Sequence, residues 1–266
     1  MSVQYVERNI TDMLSVVLPG CAALCAPERL HLVKALVPSV YGVLTRFNGL
    51  NAYLIDGEDG LTLVDTGIAG FMADVEKALA SGGRKVADIR RIVITHAHPD
   101  HVGDLPRAQA MTNATTYAHR LDAAVIRGEA GMAYPQESEL GWLSRFMLAR
   151  MKGTHLPVAR VDREVNDGDV LDEIQPGATV VHLPGHSHGH IGLLLPQAGV
   201  LIGGDVLMRL PWGLVLPLRP ASPDWASVKD SIRKAAGLPF RHLLLGHGAP
   251  LLHTAKEAVQ AFAARL

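Results

Sequence analysis

Two cysteines, Cys21 and Cys25, are all that this 266-residue chain contains. They are too few for a disulfide framework, and their CxxxC spacing has no second pair elsewhere to complete a structural zinc site. Buried or half-buried thiols are the expectation for both. Charge of one sign is lacking as well: 25 Lys and Arg against 26 Asp and Glu leave a formal net charge of −1. That balance supplies no field to attract DNA, RNA or an acidic membrane. Long uninterrupted apolar runs are also missing. Glu28, Arg29, His31 and Lys34 interrupt the apolar region from Met13 to Val37, and no basic segment precedes it. Neither a signal peptide nor a membrane span is expected, and the chain reads as cytoplasmic.

What is present fits a folded enzyme-sized protein, with 48% hydrophobic and 19% charged residues, enough for a large core. Residues 1–38 read as an N-terminal extension broken by Pro19-Gly20, Pro27 and Pro38, with Leu30 to Val37 as a short apolar helix or strand. Strands are expected at Asn51 to Ile55 and Leu61 to Val64, around the turn Asp56-Gly57-Glu58-Asp59-Gly60. A helix over Gly70 to Ser81 ends at Gly82-Gly83, and the strand Arg91 to Thr95 follows. Further strands are expected at Val180 to Leu183, Gly192 to Leu195, Val200 to Gly204 and Arg241 to Leu245. One helix starts with Ser222 as N-cap and Pro223 as its first residue, and another runs from Ala255 to Leu266. About residues 120–160 form a helical insertion, in which Leu140, Leu143, Met147 and Met151 run beside Trp142 and Phe146. Packing on the core, a lid or substrate wall, and a homodimer face are its open readings. Because residues from Asp65 to His247 must meet, residues 1–266 are expected to form a single α/β domain.

The chemistry is concentrated in His96-Ala97-His98-Pro99-Asp100-His101, placed directly after the apolar run Ile92-Val93-Ile94. Imidazole and carboxylate are ligand types suited to zinc, iron or manganese. Asp65, the His96 to His101 run, His186, Asp205 and His247 each stand just past the end of a separate apolar strand. Strand ends of a layered fold share one rim, so these residues can converge. His96, His98, Asp100, His101, His186, Asp205 and His247 make seven potential ligands, more than one tetrahedral ion needs. Two divalent ions are therefore expected, one on His96, His98 and His186, the other on Asp100, His101 and His247. Asp205, with two oxygens, is the natural bridge.

That run, together with Asp65-Thr66-Gly67, Pro184-Gly185-His186-Ser187-His188-Gly189-His190, Gly204-Asp205 and Gly246-His247-Gly248, resembles the metallo-β-lactamase superfamily. The motifs occur in the family's order and cover roughly residues 40 to 250. The resemblance implies an αββα sandwich, two mixed β-sheets flanked by helices, with a dinuclear site on one edge and the same ligand set. It implies a hydrolase in which a hydroxide between two cations is the nucleophile at neutral pH, so no catalytic Ser or Cys is needed. Zinc is the expected ion, with iron or manganese as alternatives. Asp100 would bind the second ion and orient the attacking water or accept its proton. Asp65 would fix a histidine tautomer through a hydrogen bond, a turn or capping role being its alternative. His190 resembles a trailing family histidine and is expected to support the ligands, whereas His188 is replaceable.

Departures from family patterns narrow the substrate. Glyoxalase II enzymes carry a helical C-terminal domain, and little sequence follows His247 here. Lactonases of the family place a tyrosine where Met208 stands, while true β-lactamases usually alter the ligands found here as His101 and Asp205. Flavodiiron proteins carry Glu at the position of His98. The loop containing Met208, Arg209 and Trp212 follows Asp205 and is expected to border the substrate, with Arg209 meeting an anionic group. Trp212 reads equally well as core. The resulting expectation is a small-molecule hydrolase acting on an ester, thioester or lactone. A mononuclear iron oxidoreductase like the persulfide dioxygenases, or a phosphodiesterase or phosphotriesterase of the same fold, is the alternative.

Overall fold

Runs such as Val200-Leu201-Ile202 and Ile191 to Leu195 lack polar alternation, so they need strands covered on both faces. The structure, a computed structural model that describes residues 31–45 and 49–266, supplies that cover by stacking two mixed sheets between helices. The expectations for Cys21, Cys25 and residues before His31 lie outside the described residues.

The first sheet has seven strands in sequence order: β1 (His31–Val37), β2 (Val40–Thr45), β3 (Asn51–Gly57), β4 (Gly60–Val64), β5 (Ile89–Val93), β6 (Thr115–His119) and β7 (Arg163–Val165). The β1 to β4 neighbours pair antiparallel, and those from β4 to β7 pair parallel. The second sheet contains β8 (Thr179–His182), β9 (Ile191–Leu195) and β10 (Val200–Gly204). Beyond the small hairpin β11 (Met208–Leu210) and β12 (Gly213–Val215), it is completed by β13 (His242–Leu245). Its order is β13-β10-β9-β8, antiparallel except for the parallel β10–β13 pair.

Three clusters of buried side chains fill the spaces between layers, and the twofold alternation of each strand distributes its residues between them. In β3, Ala52 and Leu54 face outward to the cluster beneath α1 (Met72–Ser81) and α3 (Leu105–Thr112), while Tyr53 and Ile55 face the second sheet. Val200 and Ile202 of β10 meet them from the other side. Leu201 points outward, against Val228 and Ile232 of α6 (Trp225–Gly237) and Val259 of α7 (Ala255–Ala263). Each such Leu, Ile or Val contributes about 1.5–3 kcal/mol on leaving water.

The sheets are also joined by hydrogen bonds at one end. Asn51 Nδ2 donates to the carbonyls of Leu245 (2.9 Å) and Gly248 (2.6 Å), and Tyr53 Oη donates to Leu245 O at 2.6 Å. Burial raises the Tyr53 pKa far above the usual phenol value, so it remains a neutral donor. These bonds fix the end of β13, from which His247 projects.

Two local expectations change. The helix α6 is capped by Asp224, whose carboxylate accepts from Ser227 N (3.0 Å) and Ser227 Oγ (2.7 Å), and not by Ser222. Asp and Ser cap equally well, and the Ser222 hydroxyl is engaged elsewhere. In the insertion, α5 (Trp142–Met151) buries Leu148 but leaves Trp142 76% and Phe146 56% exposed. It is therefore not a helix wholly packed on the core. An ion pair between Glu139 and Arg219 ties the segment before it to the short helical turn Arg219–Ala221.

Candidate metal centre

The side chains singled out above emerge from one rim. Asp65 follows β4, Thr95 to His101 follow β5, His186 follows β8, Asp205 follows β10 and His247 follows β13. Pro99 begins a short helix, α2 (Pro99–Val102), with His98 extended before it (φ −109°, ψ 155°). A residue before proline avoids the helical region while proline suits a first helical turn. The run is thus divided: His96 and His98 precede the helix, and Asp100 and His101 lie on its turn.

Hydrogen bonds assign the imidazole tautomers. The Thr95 hydroxyl donates to Asp65 Oδ2 (2.7 Å), so at 3.0 Å it accepts from His96 Nδ1. His101 Nδ1 donates to the same Asp65 oxygen at 2.8 Å. Ser222 Oγ donates to Leu218 O (2.9 Å) and accepts from His186 Nδ1 at 3.0 Å. In all three rings Nδ1 is committed as the donor, so Nε2 is the nitrogen that faces inward.

Inward-facing atoms fall into three overlapping groups, each with its ligand atoms within 4.8 Å of one another: His96, His98 and His186; His96, His101 and Asp205; Asp100, His101 and His247. His98 Nδ1 is 3.0 Å from His186 Nε2. Asp205 Oδ2 lies 3.4 Å from His186 Nε2 and 3.3 Å from His247 Nε2, and Oδ1 lies 3.5 Å from His101 Nε2. His247 Nε2 also approaches Asp100 Oδ2 at 3.1 Å. Asp205 therefore stands between the two triplets. Gly246 permits this, because a Cβ there would collide with Asp205 Oδ1 and crowd His101 Cε1 to 2.7 Å.

Electrostatics divide the centre into two halves. Burial, reinforced by neighbouring imidazoles, lowers His96 well below its ordinary pKa and His98 to about 3. For His247 burial works in the same direction, but Asp205 and Asp100 outweigh it and raise the pKa to about 10. At His101, burial is likewise outweighed by Asp65, Asp205 and Asp100, and the pKa rises well above normal. His96 and His98 are thus held as neutral imidazoles, whereas His101 and His247 are drawn toward the protonated form by the carboxylates beside them. Divalent ions fit this donor set: His96 Nε2, His101 Nε2 and Asp205 Oδ1 are buried without a hydrogen bond, a costly state that a cation relieves.

Several residues brace the centre. Asp65 binds Thr95 N (2.8 Å), Thr95 Oγ1 and His101 Nδ1, and its backbone has a φ of 62°. His190 Nε2 accepts from Asp205 N at 2.9 Å. Asp122, Thr95 and Ser222 were not anticipated from the sequence. The Asp122 carboxylate accepts from Ala97 N (2.7 Å), Ser187 Oγ (2.6 Å) and Gly189 N (2.7 Å). Gly185-His186-Ser187-His188-Gly189 also fits the Gly-x-Ser-x-Gly spacing of serine hydrolases. Ser187 Oγ bonds Asp122 and no imidazole, and the segment joins two strands rather than a strand and a helix, so the nucleophile elbow is not formed.

The hairpin after Asp205 carries the three residues expected near substrate. Met208 is buried and Trp212 is 61% exposed at the turn, which removes the reading of Trp212 as core. Arg209 N donates to His247 O (3.1 Å), and its Nη1 donates to Pro250 O at 2.6 Å and to Ala249 O at 3.3 Å.

Residues 45–247 match the family model of the metallo-beta-lactamase superfamily. The chain belongs to that superfamily. Among curated relatives, the probable metallo-hydrolase YflN of Bacillus subtilis is 28% identical over 61% of this chain and 66% of its own length. The hydroxyacylglutathione hydrolase of Fuscovulum blasticum is 30% identical over 74% of this chain and 61% of its own length. The acyl-coenzyme A thioesterase MBLAC2 of Gallus gallus is 27% identical over 65% of each chain. The chain thus spans about two thirds, or less, of the length of these relatives. Of solved structures, the MIM-2 metallo-beta-lactamase covers 96% of both chains with a TM-score of 0.67 and 23% identity. A metallo-beta-lactamase family protein of Thermus thermophilus, TTHA1429, covers 87% of this chain and 80% of its own with a TM-score of 0.65 and 24% identity. At such identities these two structures establish the superfamily fold. Among the described residues no helix is long and apolar enough to cross a membrane.

Proposed function

We propose that the chain is a dinuclear metal-dependent hydrolase of a small ester, thioester or lactone. The observation that carries this reading is the convergence of the Nε2 atoms of His96, His101 and His186, each ring fixed by a separate Nδ1 hydrogen bond, around Asp205. His96, His98 and His186 would hold one ion, Asp100, His101 and His247 the other, with one Asp205 oxygen available to each half. Bound divalent ions, zinc above all, supply Lewis acidity and bring the pKa of water from 15.7 toward about 7. Asp100, with about a third of its side chain exposed, orients the attacking water and accepts its proton. It then returns the proton to the leaving alcohol or thiol. Met208 and Trp212 would border the acyl group. Two relatives, a hydroxyacylglutathione hydrolase and an acyl-coenzyme A thioesterase, support acyl hydrolysis as the reaction class.

The test is a panel of lactone, thioester, aryl ester, phosphodiester and β-lactam substrates, run with zinc, manganese and iron supplied separately. Wild type is expected to hydrolyse one of the three acyl classes, and Asp205→Ala to lose that activity by at least about a hundredfold, the scale on which removal of one preorganised catalytic group acts. Unchanged hydrolysis by Asp205→Ala would overturn the dinuclear mechanism. A phosphodiester preference would overturn the substrate class alone.

A further inference from the structure

Asp122 is the third residue of α4 (Arg120–Ile126), remote in sequence from every ligand, yet it is buried at the junction of two ligand-bearing loops. Its Oδ2 accepts from Ala97 N, between His96 and His98, and from Ser187 Oγ, next to His186. Its Oδ1 accepts from Gly189 N. The approach is close enough to require glycine there, since a Cβ on Gly189 would lie 2.5 Å from Asp122 Oδ1 and 2.6 Å from Asp122 N. No ion pair to Asp122 occurs among the described residues, so three hydrogen bonds, with a smaller contribution from the nearby His188, offset the cost of burying the carboxylate. None of its contacts reaches Asp100, His101 or His247. His101 and His247 are held by other groups: Thr66 Oγ1 on His101 O, Asp65 on His101 Nδ1, and Arg209 N on His247 O.

We propose that Asp122 is a positioning residue that clasps the His96–His98 loop to the His186 loop and so sets the geometry of the three-histidine half of the centre alone. This rests on the metal-centre reading given above. With the clasp in place, His98 Nδ1 and His186 Nε2 converge to 3.0 Å. Without it, the bond from Ile191 N to Thr95 O (2.8 Å) still joins the two segments at their strand ends, but no hydrogen bond ties Ala97 to Ser187 and Gly189 between the ligands. An Asn at this position cannot replace it, because its Nδ2 would oppose one of three donors.

Zinc affinity, measured by competition with a chromogenic chelator, tests the assignment without recourse to activity. Wild type should take up two equivalents. In a His247→Ala background, where the three-histidine half is read by itself, adding Asp122→Asn should weaken zinc by about 10–100-fold, the usual effect of losing a supporting contact behind a ligand. In a His186→Ala background, where the other half is read, the same substitution should change affinity by less than about twofold. A purely structural aspartate would weaken both halves alike, and that result, or no change in either, overturns the proposal. Should Asp122→Asn fail to fold, Ser187→Ala removes one contact and is expected to show the same selectivity on a smaller scale; equal or absent effects there overturn the proposal too. Fewer than two zinc equivalents on wild type would instead refute the dinuclear reading, before any clasp variant is compared.

Discussion

His98 Nδ1 and His186 Nε2 lie 3.0 Å apart, and the second of these nitrogens is turned inward because Ser222 accepts from Nδ1 on the opposite side of the ring. Such convergence of buried imidazoles on one point is stabilised by a shared cation. Zinc is therefore expected to raise the melting temperature of chelator-treated protein, with about 2.7 kcal/mol of stabilisation at a hundred times its dissociation constant. His186→Ala should halve the stoichiometry. Thermal unfolding with and without added zinc, alongside metal analysis, checks both. Identical melting under the two conditions would exclude a metal centre.

Asp65 acts on two imidazoles at once, directly on His101 Nδ1 and through the Thr95 hydroxyl on His96 Nδ1. Replacing it with Ala frees both rings to adopt the wrong tautomer, one in each half of the centre. Asp65→Ala should therefore weaken both zinc equivalents by about 10–100-fold. Thr95→Val should weaken chiefly the three-histidine half, since His101 keeps its carboxylate. Zinc titration of the two variants separates these outcomes, and parallel losses in both halves of Thr95→Val would contradict the relay.

The ligand set could be read from sequence because metal chemistry limits the residue types and each stands where an apolar run stops. The runs themselves marked both sheets: Val200 to Gly204 forms β10 as anticipated. The supporting residues could not be read in this way. Asp122 meets Ala97, Ser187 and Gly189 across 25 to 67 positions, and side-chain bonds between distant elements leave no period in a sequence. Ser222 had every local sign of a helix cap, and only the tertiary fold shows its hydroxyl committed to His186. The α5 helix remained ambiguous because its apolar residues are spread around the axis, with Trp142 and Phe146 turned to solvent.

Arg209 and Trp212 occupy one hairpin and should respond differently to removal. The Arg209 guanidinium holds Pro250 O and Ala249 O behind His247. Arg209→Ala is therefore expected to destabilise by about 1.5–3 kcal/mol, the range for hydrogen bonds from charged donors. Trp212 is 61% exposed, and Trp212→Ala should change stability by less than about 0.5 kcal/mol. If Trp212 borders the acyl group, the same change raises KM more than it lowers kcat. Urea unfolding and steady-state kinetics on the two variants check the contrast; a KM unaltered by Trp212→Ala removes that residue from the substrate site.

Away from the centre, His119 stacks on His182 with ring centroids 4.2 Å apart and planes 6° from parallel. Burial lowers the His119 pKa to about 4, aided by His182 and Arg120 and opposed by Asp167 and Glu164. Its Nδ1 also accepts from Leu121 N (3.3 Å) as the cap of α4, which a protonated ring nitrogen cannot do. The unfolded chain takes up this proton near pH 6.5 and the folded chain near pH 4, so over that window the unfolded state binds more protons. The contribution of His119 to stability is complete above pH 6.5 and is lost progressively as the pH falls toward 4. Asparagine caps well and does not titrate. His119→Asn should therefore match wild type at pH 7.5 within about 1 kcal/mol, the scale of a cap substitution, and show a flatter fall in stability between pH 6.5 and 4. Urea unfolding across that range checks the slope, and parallel profiles for the two proteins would show that His119 does not titrate with folding.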